Sequence, residues 1–205
     1  MPFSAIYDAC VLYPFEVRDI LMVAARTRSF AIYWTDAILD ECARNLISDG
    51  LATNENMSRM ANDMKKLYPE ATIALADYES LIPVMTNHPG DRHVLAAAVA
   101  KKIDVIVTNN IKHFPNKALD PYDIEAQIPD EFVRHVLDLA PAPFIFWFRR
   151  RIIQRQQWAL DNNKNAGTAE EIAKKLAELD PPLPDTSAYL IECLMNPRYQ
   201  VLNIN

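Results

Sequence analysis

Apolar positions along this chain change period several times, and each change marks an element. The runs FSAIY (3–7), FAIYW (30–34) and DVIVT (104–108) are too short for helices. They are apolar enough to be strands buried on both faces. Between the first two, Val17, Ile20, Leu21, Ala24 and Ala25 recur at helical spacing after Pro14, which predicts a helix through about Thr27. Thr35 is placed to cap the next helix, TDAILDECARNLI, and Gly50 to stop it. Met57, Met60, Ala61, Met64 and Leu67 form one core-facing stripe of a helix over 54–67, ended by Pro69. LIPVM (81–85) reads equally as a short strand or an irregular loop, and Asn87-His88-Pro89-Gly90 as a turn. Asp91 then opens the helix DRHVLAAAVAKK, apolar almost all round, and a last short strand is expected near 123–126. Strands alternating with helices predict an α/β sandwich with a central, mainly parallel sheet and helices on both faces.

Composition narrows the class. The chain has 205 residues, half of them hydrophobic and 23% charged, enough for a full core and an appended helical unit. Cys10, Cys42 and Cys193 are widely spaced and odd in number, which argues against a disulfide framework or a zinc site and suits a reducing cytoplasm. No run approaches the roughly 20 apolar residues that span a bilayer, so a soluble, unprocessed protein with no membrane association is expected. The net charge of −6 opposes general adhesion to nucleic acid, but residues 141–205 hold 8 Lys/Arg against 7 Asp/Glu. Four of those eight, Arg149, Arg150, Arg151 and Arg155, share one helical stretch with Trp147 and Trp158. That stretch is either a phosphate-gripping, base-stacking surface or a solvated arginine face whose tryptophans are core.

Three acids stand out against this frame. Asp8 ends the first strand, Glu41 lies inside the second long helix and Asp91 opens the Ala-rich helix. In open parallel sheets function gathers beyond the carboxyl ends of the strands, where Asp8 and Thr108-Asn109-Asn110 fall. Carboxylates gathered there without a counterion would repel by about 4 kcal/mol per pair at about 4 Å and an effective dielectric of about 20. A divalent cation is the natural reason for such a set, whereas singly each acid reads as a turn cap, a surface charge or an N-cap.

Other chemistries fit less well. A phosphotransferase using a strand-ending aspartate as nucleophile would carry a second Asp two positions on, where this chain has Cys10. Three glycines leave no phosphate-binding loop. A Cys10 nucleophile would need a base, and no spacing selects among His88, His93 and His113.

The segments YDACVLYP, ILDECARNLI and PGDRHVLAAAVAKKIDVIVTNNIKHFP, in this order, resemble PIN-domain ribonucleases, specifically the toxins of VapBC-type toxin–antitoxin pairs. The resemblance spans roughly residues 3–140 and sets a PIN-like nuclease domain at 1–140, with 141–205 similar to the helical C-terminal extension of a longer subgroup. It implies a PIN-like α/β/α sandwich and a metal-dependent RNA endonuclease, with Asp8, Glu41 and Asp91 holding Mg²⁺ or Mn²⁺. Thr108 is implied as a hydrogen-bonding support. Asn110 stands where many relatives carry a fourth Asp, and His113 where they often carry another, so the set is acid-poor. Arg92 is expected either to neutralise the acidic edge or to contact RNA, and His113 to orient a phosphate or simply to form a surface hydrogen bond. The resemblance further implies an RNA substrate, with tRNA a family-level expectation, a small antitoxin that occludes the site, and a homodimer. A PIN-like binding module without catalysis and a flap-type DNA nuclease are the competing readings.

Overall fold

In the computed structural model, which describes residues 3–200, the apolar runs become the strands of one sheet. β1 (Ser4–Tyr7), β2 (Ala31–Thr35), β3 (Thr72–Ile73), β4 (Val105–Val107) and β5 (Glu125–Gln127) lie in the order β3-β2-β1-β4-β5. Every pairing is parallel. Parallel pairing needs a crossover after each strand, which the sequence supplies as helices. These are α1 (Ala9–Leu12), α2 (Phe15–Arg26), α3 (Asp36–Ser48), α4 (Asn54–Leu67), α5 (Leu75–Tyr78), α6 (Arg92–Lys101) and α7 (Asn116–Leu119). The central strands explain their apolar composition: Ala5, Ile6, Tyr7, Ile106 and Val107 are fully buried.

Register fixes the edge that matters. Tyr7 lies opposite Val107, so the next residues on the two strands, Asp8 and Thr108, emerge side by side at the carboxyl end of the sheet. The Asp8 N–H still donates to the Val107 carbonyl at 3.1 Å, and the Thr108 N–H to the Gln127 carbonyl at 2.9 Å. α6 follows a 3₁₀ turn, Pro89–Asp91, and packs Val94 through Ala98 wholly inside. Its small side chains permit that close approach, and Lys102, at a left-handed φ of 55°, ends it.

Some expectations shift in detail. β3 and α5 have no counterpart in the sequence reading, and the LIPV of LIPVM belongs to a 3₁₀ helix, Glu79–Val84, around Pro83, with Met85 its extended C-cap. The helix opened by Asp91 begins one residue later, with Asp91 at its N-cap position but making no side-chain cap bond. The Met stripe holds at Met57 and Met64, while Leu67 is exposed.

The chain divides into two compact units. The first comprises the residues up to Arg18 together with Phe30–Ile128, and holds the sheet; the second comprises Asp19–Ser29 and the chain from Pro129. In the second, α8 (Pro129–Leu139), α9 (Pro141–Asp161), α10 (Ala169–Leu176), α11 (Pro184–Met195) and α12 (Pro197–Gln200) follow the sheet, and no strand occurs among its described residues. Asp130, almost fully buried, accepts the Asp185 and Thr186 N–H groups at 3.0 and 2.8 Å, satisfying donors at the start of α11. Among the described residues no helix is long and apolar enough to cross a membrane.

Candidate functional site

Asp8 is 2% exposed, and its carboxylate is held from three directions. Oδ1 accepts the Ala9 N–H at 2.7 Å, which makes Asp8 the N-cap of α1. Oδ2 accepts the Thr108 hydroxyl at 2.7 Å and the Cys10 thiol at 3.1 Å. Both donors are themselves fixed, since the Asn110 N–H donates to Thr108 Oγ1 at 3.0 Å and the Asn109 N–H to Cys10 Sγ at 3.3 Å. Asn110 therefore reaches this network through its backbone. Burial nevertheless pushes the Asp8 carboxyl above its ordinary value and the Asp91 charge adds to the rise, against the pull of the hydrogen bonds from Thr108, Cys10 and Ala9. The Cys10 thiol is pushed up to about 12, first by burial and then by Asp8, so Cys10 is a hydrogen-bond donor here and a poor nucleophile.

Asp91 is thus an electrostatic neighbour of Asp8, but its own surroundings differ. Its Oδ2 lies 2.9 Å from Nδ1 of both His88 and His113. The two imidazoles are stacked, with centroids 4.0 Å apart and planes within 14°. The backbone holds them together through a 3.0 Å bond from the His88 N–H to the His113 carbonyl. Glu41, on α3, approaches the same helix start from another side: its Oε2 lies 3.5 Å from His93 Nε2, two residues beyond Asp91. Arg92 carries a buried Nε without a hydrogen-bond partner.

The structure therefore brings Asp8, Thr108, the Asn110 backbone and Asp91 together, and links Glu41 to the start of α6 through His93. Sequence reasoning missed the parts played by His88 and His93, although their spacing around Asp91 within NHPGDRH was a signal. The remaining candidates lie in the second unit. There Arg151 Nε donates to Asp19 Oδ1 at 2.6 Å and Arg155 Nη1 to Asp19 Oδ2 at 3.5 Å, while Arg149 is half-buried and Arg150 exposed. Trp158 is exposed, with Lys164 Nζ 5.0 Å from its ring centre, so it is not the core residue of the solvated-face alternative.

Positive charge at this edge would relieve Asp8, whose carboxylate is destabilised by burial and by the Asp91 charge, and among the described residues the group whose potential ligand atoms all lie within 4.8 Å of one another is His88, Asp91 and His113. A five-stranded, all-parallel α/β sheet with acids at its carboxyl edge defines a class, and the chain belongs to the PIN domain family. The family model, described as PIN domain, matches residues 4–112, from the start of β1 to the turn after β4. The chain is also similar to a protein of Mycobacterium tuberculosis named "Putative ribonuclease VapC50", at 58% identity over 62 residues. Those residues are 30% of this chain and 37% of that protein, so little more than a third of the relative is covered. No solved structure matches.

Proposed function

We propose that this chain is a Mg²⁺- or Mn²⁺-dependent endoribonuclease, the toxin of a VapBC-like type II toxin–antitoxin pair. The observation that carries the reading is Asp8: a buried carboxylate at the sheet edge, raised by burial and by a second acid, in a chain of the PIN domain family. Asp8, Glu41 and Asp91 would hold the metal, with the Asn110 side-chain carbonyl as a neutral oxygen in place of a further acid. When bound, the ion supplies an activated water and charge neutralisation at the scissile phosphate.

The chain's own residues do the positioning. Thr108 and Cys10 both donate to Oδ2 of Asp8, leaving the carboxylate one orientation. His93 restrains Glu41. Arg92 and His113 are the proposed RNA contacts near the acids, and Arg149, Arg150, Arg151 and Arg155 those of the C-terminal region, with Arg151 and Arg155 steadied by Asp19. Exposed Trp158 adds a face on which an unpaired base can stack. The nuclease domain is assigned to 1–140 and the helical extension to 141–205. tRNA is the proposed substrate class, a basic segment of a cognate antitoxin the inhibitor, a homodimer the assembly and the cytoplasm the compartment.

The test is incubation of antitoxin-free protein with total RNA and Mg²⁺ or Mn²⁺, beside Asp8→Ala and beside DNA flaps. Metal-dependent RNA cleavage lost in Asp8→Ala is expected. Cleavage unchanged in that variant, or folded protein that binds RNA without cutting it under either metal, would overturn the enzyme reading.

A further inference from the structure

Asp91 stands at the N-cap position of α6, yet its side chain makes no cap bond. Its side-chain contacts with hydrogen-bonding or charged groups, among the described residues, are to two imidazoles, and both fall on Oδ2. They are not equivalent. The 2.9 Å contact with His88 Nδ1 is a hydrogen bond, whereas His113 Nδ1, also 2.9 Å away, is buried without a hydrogen-bond partner. Rings within 14° of parallel and 4.0 Å apart do not aim both Nδ1 atoms at one point. His113 is instead the surface on which the His88 ring lies, at a spacing fixed by the 3.0 Å bond from the His88 N–H to the His113 carbonyl. An ionised carboxylate only accepts, so the bond to Asp91 places a proton on His88 Nδ1. The Gly90 N–H, 3.3 Å from that nitrogen, is the longer and weaker contact.

We propose that His88 is the positioning residue for Asp91: its Nδ1–H, set in place by the His113 ring, holds Oδ2 and leaves Oδ1 as the oxygen offered to a divalent ion. This rests on the nuclease reading, in which Asp91 is a metal ligand. Asp8 is aimed by three donors, from Ala9, Thr108 and Cys10. Asp91 has the single donor His88. Removing that donor frees the carboxylate to rotate, and ion binding must then immobilise it.

The test is Mn²⁺ titration of the full chain, free of antitoxin and RNA, read by electron paramagnetic resonance of the free ion and by calorimetry. His88→Phe keeps a ring on His113 and removes the donor, while His88→Asn returns a donor near the Nδ1 position without the ring. Affinity is expected to fall at least about 10-fold in His88→Phe and to lie within about threefold of the parent in His88→Asn. His88 is half exposed, so both variants are expected to fold, which circular dichroism checks; should His88→Phe not fold, His88→Ala takes its place. Parental affinity in the folded donor-less variant, with Mn²⁺ binding lost in Asp91→Asn, would overturn the positioning role alone. A loss that His88→Asn leaves unrepaired would overturn it too, by tracing the effect to the packing of the ring. Affinity unchanged in Asp91→Asn would instead remove Asp91 from the metal set, and the proposal with it.

Discussion

Asp8 and Asp91 face each other electrostatically across the sheet edge, yet the chain holds them in opposite ways. Asp8 is sealed at the end of β1, with both oxygens engaged by donors that are themselves fixed. Asp91 sits on a turn with its side chain 14% exposed, caps nothing, and meets imidazoles on one oxygen. The difference teaches how a site can tie rigidity to one acid and adaptability to another. Asp8 is oriented by the fold, whereas Asp91 takes its setting from two side chains 25 positions apart in sequence and joined by one backbone hydrogen bond.

The largest effect expected is on cleavage, and it strikes both acids alike. Asp8→Asn and Asp91→Asn each lower metal-dependent RNA cleavage by at least about 100-fold in single-turnover assays, since each removes a charge from the proposed metal set. Stability separates them. The Asp8 carboxyl is raised in the folded state, so its contribution to stability is fully present below the ordinary carboxylate value and is lost as pH rises through the raised one. At neutral pH that carboxylate opposes folding. Asp8→Asn is therefore expected to raise the melting midpoint at pH 7 by about 2–4 °C, equivalent to about 1 kcal/mol in a chain of this size. Asp91→Asn is expected to stay within about 0.5 kcal/mol of the parent. A lowered midpoint for Asp8→Asn would mean that the hydrogen bonds to Oδ2 outweigh burial, reversing the contrast.

A smaller effect tests whether Asp8 is as rigidly held as its contacts indicate. Thr108 is fully buried, donates to Asp8 Oδ2 and accepts from the Asn110 N–H. Thr108→Val keeps the shape and strands both partners, at an expected cost of about 1.5–3 kcal/mol because one of them is charged. Urea denaturation should show a lower midpoint at unchanged slope, and cleavage should fall by about 10-fold or more. Near-parental stability would show that Asp8 finds its orientation without the hydroxyl.

The two corners were unequally legible in the sequence. β1 and β4 announced themselves as continuous apolar runs because central parallel strands are covered on both faces, and their ends put Asp8 and Thr108 at one edge. β3 did not, since two residues, Thr72 and Ile73, carry no period. Taken alone, Asp91 reads equally as an N-cap or as a functional acid because the local pattern for the two is the same; in the structure it stands at the N-cap position without a side-chain cap bond. His88 and His113 meet through a tertiary backbone contact, which no local pattern encodes. Trp158 was open to reading as core because its helix is rich in apolar residues, yet it lies exposed beside Lys164.

The smallest effect is expected at Cys10, and it decides what the sealed corner is for. The thiol touches Asp8 and Thr108, the position a nucleophile would need, but burial and the Asp8 charge push it up to about 12. Almost none is thiolate at neutral pH. Cys10→Ser preserves a donor to Asp8 Oδ2, and cleavage should remain within about threefold of the parent, a change of less than about 1 kcal/mol in the barrier. Alkylation by iodoacetamide at pH 7.5, followed by peptide mass mapping, should leave Cys10 of the native parent unmodified while the urea-unfolded chain reacts. Loss of cleavage in Cys10→Ser to the level of Asp8→Asn, together with rapid native alkylation, would make the thiol the reacting group and Asp8 its base. Retained cleavage with a silent thiol leaves the carboxylate as the chemical centre and Cys10 as one of the donors that aim it.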